Sequence, residues 1–137
     1  MEVEVEHLKY PVALINNSDV GGFSSDSSLN ICSEKAIDDN LMVGAEIVDS
    51  EGMKYVIKSV TKIKNANWLP SFMVTYGRRI AKVEYELYQD GQIPLDEFKR
   101  LVLDTLKGDS AFKESGLLNS IKGSETYVEV IECTGID

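Results

Sequence analysis

Val3 and Val5 alternate with Glu2, Glu4 and Glu6, a period of two that predicts a half-buried or edge strand. Pro11 interrupts the ladder. Val12, Ala13, Leu14 and Ile15 then run apolar without a break, which suits a strand covered on both faces. Asn16 to Ser28 is rich in Ser, Gly, Asn and Asp and predicts a loop, with Phe23 as a tether to the core. Ser28 to Cys32 predicts a short strand. Ser33, followed by Glu34, Ala36 and Ile37, predicts a helix of one or two turns with a Ser N-cap.

The clearest element is a hairpin. Val43, Ala45 and Ile47 alternate with Gly44, Glu46 and Val48, and Asp49-Ser50-Glu51-Gly52 is turn chemistry in which Gly52 can take positive φ. Tyr55, Ile57, Ser59, Thr61 and Ile63 then share one face. Lys54, Val56, Lys58, Val60, Lys62 and Lys64 share the other, so an unbroken strand puts four lysines on a single face. Their aliphatic stems would cover Val56 and Val60. Asn65 to Arg79 reads as an irregular connection with a short strand near Phe72 to Tyr76. Alternation returns at Ile80, with Ala81, Val83, Tyr85 and Leu87 inward, Lys82, Glu84 and Glu86 outward, and Asp90-Gly91 as the end.

Leu95, Phe98, Leu101, Val102 and Leu106 make one apolar stripe at helical spacing, bounded by Pro94 and Gly108. Asp96 and Glu97 at its start and Lys107 at its end complement the macrodipole. A weaker helical pattern covers Ser110 to Lys122 and is interrupted by Gly116. Tyr127 to Cys133 reads as a last strand. These elements predict a single α+β domain over residues 1–137. Its expected architecture is a mainly antiparallel sheet of five to seven strands, one long amphipathic helix at about 94–107, and one or two short helices.

Charge adds a second layer. The chain has 137 residues and a net charge of −9. Residues 1–51 carry eleven acids and two bases, residues 52–83 seven bases and no acid, and residues 84–137 twelve acids and five bases. Basic and acidic strands side by side would neutralise each other within the fold. Net acidity argues against nonspecific nucleic-acid binding, although segment 54–82 leaves a local basic patch. No stretch reaches the roughly 18 apolar residues of a membrane span. The first residues carry carboxylates where a signal peptide carries Lys or Arg, so the expected location is the cytoplasm.

Few groups offer chemistry. His7 is the one histidine, and Cys32 and Cys133 lack metal-ligand spacing, so the expectation is a non-enzyme without metal or cofactor. The string Asp90 to Phe98 resembles the second half of an EF-hand loop, with Asp90 and Glu97 as ligands. Upstream, Glu86 and Tyr88 stand where Asp and a carboxylate or amide are wanted, and the incoming segment alternates like a strand. The partner-binding candidates are two groups. Glu2, Glu4, Glu6, Asp38, Asp39, Glu84 and Glu86 would form anionic surfaces, suited to a basic partner. Trp68, Tyr76, Arg78 and Arg79 form a basic-aromatic cluster of the kind found at interfaces or on nucleic acid.

The strings Leu8-Lys9-Tyr10-Pro11-Val12-Ala13-Leu14-Ile15, Ala45 to Tyr55, and Leu95-Asp96-Glu97-Phe98-Lys99 resemble small bacterial immunity proteins of the contact-dependent inhibition type. That resemblance implies a binding protein that neutralises a cognate toxin domain, often a nuclease, in the cytosol. It carries over no binding residue. Two other functions fit the residues: a nucleic-acid-associated or phage-type accessory protein using segment 54–82, and a small ligand- or metal-binding domain using Asp90 and Glu97.

Overall fold

A computed structural model describes residues 2–3, 7–16, 19–25, 29, 31–33, 42–65, 80–107 and 116–134. The strands are β1 (Glu2–Val3), β2 (Val12–Asn16), β3 (Asp19–Phe23), β4 (Ile31–Ser33), β5 (Glu46–Val48), β6 (Met53–Asn65) and β7 (Ile80–Gln92). They form one sheet in the order β1-β7-β6-β5-β2-β3, with β4 also on β7, and every pairing is antiparallel. Three helices follow in sequence: α1 (Leu95–Leu106), α2 (Leu117–Gly123) and α3 (Tyr127–Cys133). The fold is therefore α+β, as the pattern of elements predicts.

The unbroken apolar run of β2 makes it a doubly covered strand. Val12 and Ala13 are both fully buried but belong to different cores. Val12 joins Ile47, Tyr55, Ile57, Val83, Tyr85 and Leu87 on one sheet face, closed by Leu8, Leu29 and Met42. Ala13 joins Ile15 and Val48 on the opposite face, where Phe98, Val102, Ile121, Val130 and Ile131 descend from the helices. Ile47 and Val48, adjacent in β5, divide between the two faces in the same way.

Four expectations are corrected. The loop expected over Asn16 to Ser28 contains β3, which pairs along the whole of β2. Its Val20 packs toward the helices and its Phe23 toward the other core, so two anchors outweigh the poor strand propensity of Gly21-Gly22. The strand expected over Tyr127 to Cys133 is α3. Thr126 caps it by accepting from the Glu129 amide at 3.1 Å, while the Glu129 carboxylate accepts from the Glu125 amide at 2.7 Å. This is close to a Thr-x-x-Glu capping box, and it overrides β-branched propensity. The long helix does not form: α1 has 12 residues, about 18 Å at the helical rise, and α2 and α3 have 7 each. Pro94 lies outside α1 in extended backbone and acts as its N-cap residue. Finally, β7 continues through Asp90-Gly91 to Gln92, with Gly91 at φ 84° beside a register shift. The helix expected at Ser33 to Ile37 and the strand near Phe72 to Tyr76 lie outside the described residues, apart from Ser33 itself, which ends β4.

One joint fastens the helices to the sheet. Gly52, in the β5–β6 turn, has φ 85° and accepts at its carbonyl from the Ile93 amide at 2.9 Å. The Tyr127 hydroxyl donates to the Ile93 carbonyl at 2.6 Å, and its ring stacks on Phe98 with centroids 5.9 Å apart. A Cβ on Gly52 would stand 2.4 Å from the Tyr127 ring. Gly52→Ala therefore combines left-handed backbone strain with a steric clash and should destabilise by about 2–4 kcal/mol. Gly91→Ala, at a similar φ but with open space around the new Cβ, should lose only about 1–2 kcal/mol. Urea denaturation of the two variants checks the difference.

Candidate functional site

Among the described residues, the helices cover only part of their face of the sheet. In register across it lie Ile15, Glu46, Val56, Tyr88 and Glu2, one from each of β2, β5, β6, β7 and β1. Ile15 is buried beneath the helices. Glu46 and Val56 are half-buried, and Tyr88 is 38% exposed. The adjacent row repeats the change: Ala13 and Val48 are buried, and Lys54 beside them is charged. Burial thus falls off where the described helical layer ends.

A β-bulge shapes the open half. Ile57 pairs with Leu87 and Ser59 with Glu86, so Lys58 is the extra residue on β6. The phase of β6 then flips. Val60, expected outward with the lysines, packs against the core, while Thr61, expected inward, is exposed. A second shift between Lys62 and Lys64 returns the phase. The single face of four lysines expected for an unbroken strand therefore does not exist. An even strand would have placed Val60 in water, and the apolar burial gained by shifting it, about 1 kcal/mol or more, favours the bulge.

Lys54 and Lys58 are both engaged. Lys54 lies 3.3 Å from Asp90 and 3.7 Å from Glu46. The Lys58 ammonium sits 5.1 Å from the centroid of the Tyr88 ring. Lys54 of β6 is thus ion-paired to both neighbouring strands. Glu86 accepts from the Ser59 hydroxyl at 2.9 Å, and Glu84 is exposed. Neither glutamate has an ion pair among the described residues.

Of the residues predicted to bind a partner, Glu84 and Glu86 are brought together on this surface, and the backbone of Glu2 pairs with Tyr88 beside them. Glu4, Glu6, Asp38, Asp39, Trp68, Tyr76, Arg78 and Arg79 lie outside the described residues. Val56, Lys58 and Tyr88 were missed as surface residues. Tyr88 was legible, since it continues the outward phase of Glu84 and Glu86.

Other groups have structural roles. Asp90 belongs to β7 and to the Lys54 ion pair, and Glu97 projects exposed from the first turn of α1. Among the described residues no group of three or more His, Cys, Asp or Glu is placed to hold a metal ion. His7 is exposed. An open depression of about 370 Å³ is lined by Ser120, Gly123, Ser124, Glu129, Glu132 and Cys133. Its Ser124 hydroxyl donates to the Ser120 carbonyl at 2.8 Å, and the Cys133 sulfur lies 3.9 Å from that hydroxyl. Two glutamates rather than a base or cation flank the thiol, so the chemistry that activates cysteine is missing from the lining. Among the described residues, no helix is long and apolar enough to cross a membrane.

Asp49 is the most buried charged group described, at 1% exposure. Its carboxylate accepts from the amides of Glu51 and Met53, both at 2.9 Å, and from the Tyr55 hydroxyl. It holds the β5–β6 turn in shape. Burial, then the charge and hydrogen bond of Asp49, raise the Tyr55 pKa above its usual 10.0. The native state therefore holds this proton more tightly than the unfolded chain. The associated stability is complete below pH 10 and is lost as pH rises through the native pKa. Tyr55→Phe has no such proton, so its urea midpoint should fall less than the wild type's between about pH 8.5 and about pH 10.5.

No protein-family model matches the chain, and neither does any curated protein or solved structure.

Proposed function

We propose that this protein is a non-enzymatic binding protein that neutralises a cognate bacterial toxin domain in the cytoplasm by direct contact. The observation that carries this proposal is the half of the sheet face that the described helices leave open, where Glu84, Glu86 and Tyr88 follow one another on β7 and neither glutamate has an ion-pair partner among the described residues. An exposed aromatic beside unneutralised acids suits a basic protein surface. The net charge of −9 strengthens long-range attraction to such a partner. The resemblance of the segments around Leu8, Ala45 and Leu95 to immunity proteins supplies the biological setting.

The arrangement of β6 weakens the nucleic-acid alternative. A phosphate-binding strip needs free cations in a row. Of the described lysine side chains on β6, Lys54 is paired with two carboxylates and Lys58 lies over an aromatic ring, and the bulge at Lys58 interrupts the even alternation of the strand.

Affinity capture from the native organism, at low and moderate salt, tests the proposal. The expected product is a single basic toxin domain in stoichiometric amount, whose toxicity in cells is suppressed by co-expression. Glu84→Lys combined with Glu86→Lys should weaken the complex at least about tenfold, roughly 1.4 kcal/mol, chiefly through slower association. Recovery of nucleic acid alone would overturn the proposal in favour of the basic-strand alternative.

A further inference from the structure

The open half-face has the dimensions and chemistry of one missing helix. Helices α1 to α3 lie over β2, β3 and the Val48 end of β5, and among the described residues the layer stops there. At Val56 and Tyr88, from β5 across β6 and β7 to β1 is three strand spacings, about 14 Å at roughly 4.8 Å each, and the β6–β7 ribbon continues this face to Glu86 and Glu84. One helix with its side chains is about 10–12 Å across. A sheet face in an α+β fold is ordinarily closed by helices, and the covered half of this same face is closed that way.

The residues on the open strip specify such a helix further. Val56 and Tyr88 are registered neighbours and supply an apolar centre. Glu84 and Glu86 are two residues apart on β7, about 7 Å along the strand. Cationic side chains at i and i+4 of a helix are about 6 Å apart along its axis, so a helix laid along the strands can answer both glutamates. We propose that the open half-face binds one amphipathic helix of the protein partner, with its apolar stripe on Val56 and Tyr88 and an Arg or Lys pair on Glu84 and Glu86. This rests on the protein-binding function proposed above and names the element that the partner contributes.

The test is an NMR titration of the intact 15N-labelled chain with a peptide of about 14 residues, roughly four helical turns. The peptide carries a leucine stripe and arginines at i and i+4, and a twin with glutamates in place of the arginines serves as control. Saturable shifts centred on the amides of Val56, Lys58, Glu84, Glu86 and Tyr88 are expected with the arginine peptide only. Glu84→Gln with Glu86→Gln, a pair of changes at solvent-accessible positions, should weaken binding at least fivefold while leaving the free spectrum dispersed.

Shifts centred on Glu125, Glu129 and Glu132 of the helical layer would overturn the inference, as would equal binding of both peptides or no saturable binding. Tyr88 shielded from a soluble paramagnetic probe in the free chain would also overturn it, because the chain's own segments would then cover the face. The two proposals fail separately. A toxin complex mapped to the helical layer removes the helix site and keeps the toxin function. Arginine-peptide binding at the open face without a recovered toxin keeps the site and removes the function.

Discussion

The contact of Tyr127 with Gly52 and Ile93 decides how sheet and helices meet. Three segments far apart in sequence converge there: the β5–β6 turn, the link from β7 to α1, and the start of α3. A tyrosine can fill the joint because residue 52 has no side chain, and the turn can be that tight because residue 52 has positive φ. The hydroxyl then satisfies the Ile93 carbonyl just before the helix begins, while the ring stacks on Phe98. With this corner fastened, α1 runs over β2 and β3 instead of over β6 and β7. The part of the sheet face that the described helices leave open follows from where the corner sits.

The β6–β7 ribbon shows how local charge and local burial compete. Seven bases fall between residues 52 and 83 without an acid, yet the first lysine of β6 is ion-paired and the strand's even alternation is broken. Glu46 and Asp90 approach Lys54 from the strands on either side, and the bulge at Lys58 turns Val60 into the core. The two effects act together. Cross-strand pairing removes charge from one end of the row, and the need to bury Val60 removes the geometric regularity that a row requires. Glu84 and Glu86 on β7, without ion pairs among the described residues, then set the character of the surface.

Elements held by repetition along the chain were legible. The doubly covered β2, the Asp49 to Gly52 turn, the inward phase of β7 and the stripe of α1 each repeat one signal over several residues, and each is found. Elements decided by a single local feature or by tertiary pairing were not. Seven residues rich in Val, Ile and Tyr read as a strand, but a Thr cap and a Glu three residues on made α3 a helix. A Gly-Gly pair read as a loop, but β2 offered an edge and two apolar anchors held β3 to it. The bulge in β6 has no composition signal of its own. It follows from the burial of Val60, which the shift places opposite the inward Tyr85 of β7.

The candidate surface was half legible for the same reason. Alternation along β7 places Glu84 and Glu86 outward and extends the phase to Tyr88, but nothing in the one-dimensional pattern says which part of an outward face the helices leave open. That depends on the joint at Gly52 and Tyr127, which is a property of the assembled fold. An acid pair on a strand paired in register with β6 is also better fixed in spacing than one on a loop, since its backbone is held by ladder hydrogen bonds. Fixed spacing matters more for discriminating partners than for raw attraction. The net charge of the chain draws in any cation, whereas two carboxylates at one strand-set separation beside an aromatic ring select a matching pair.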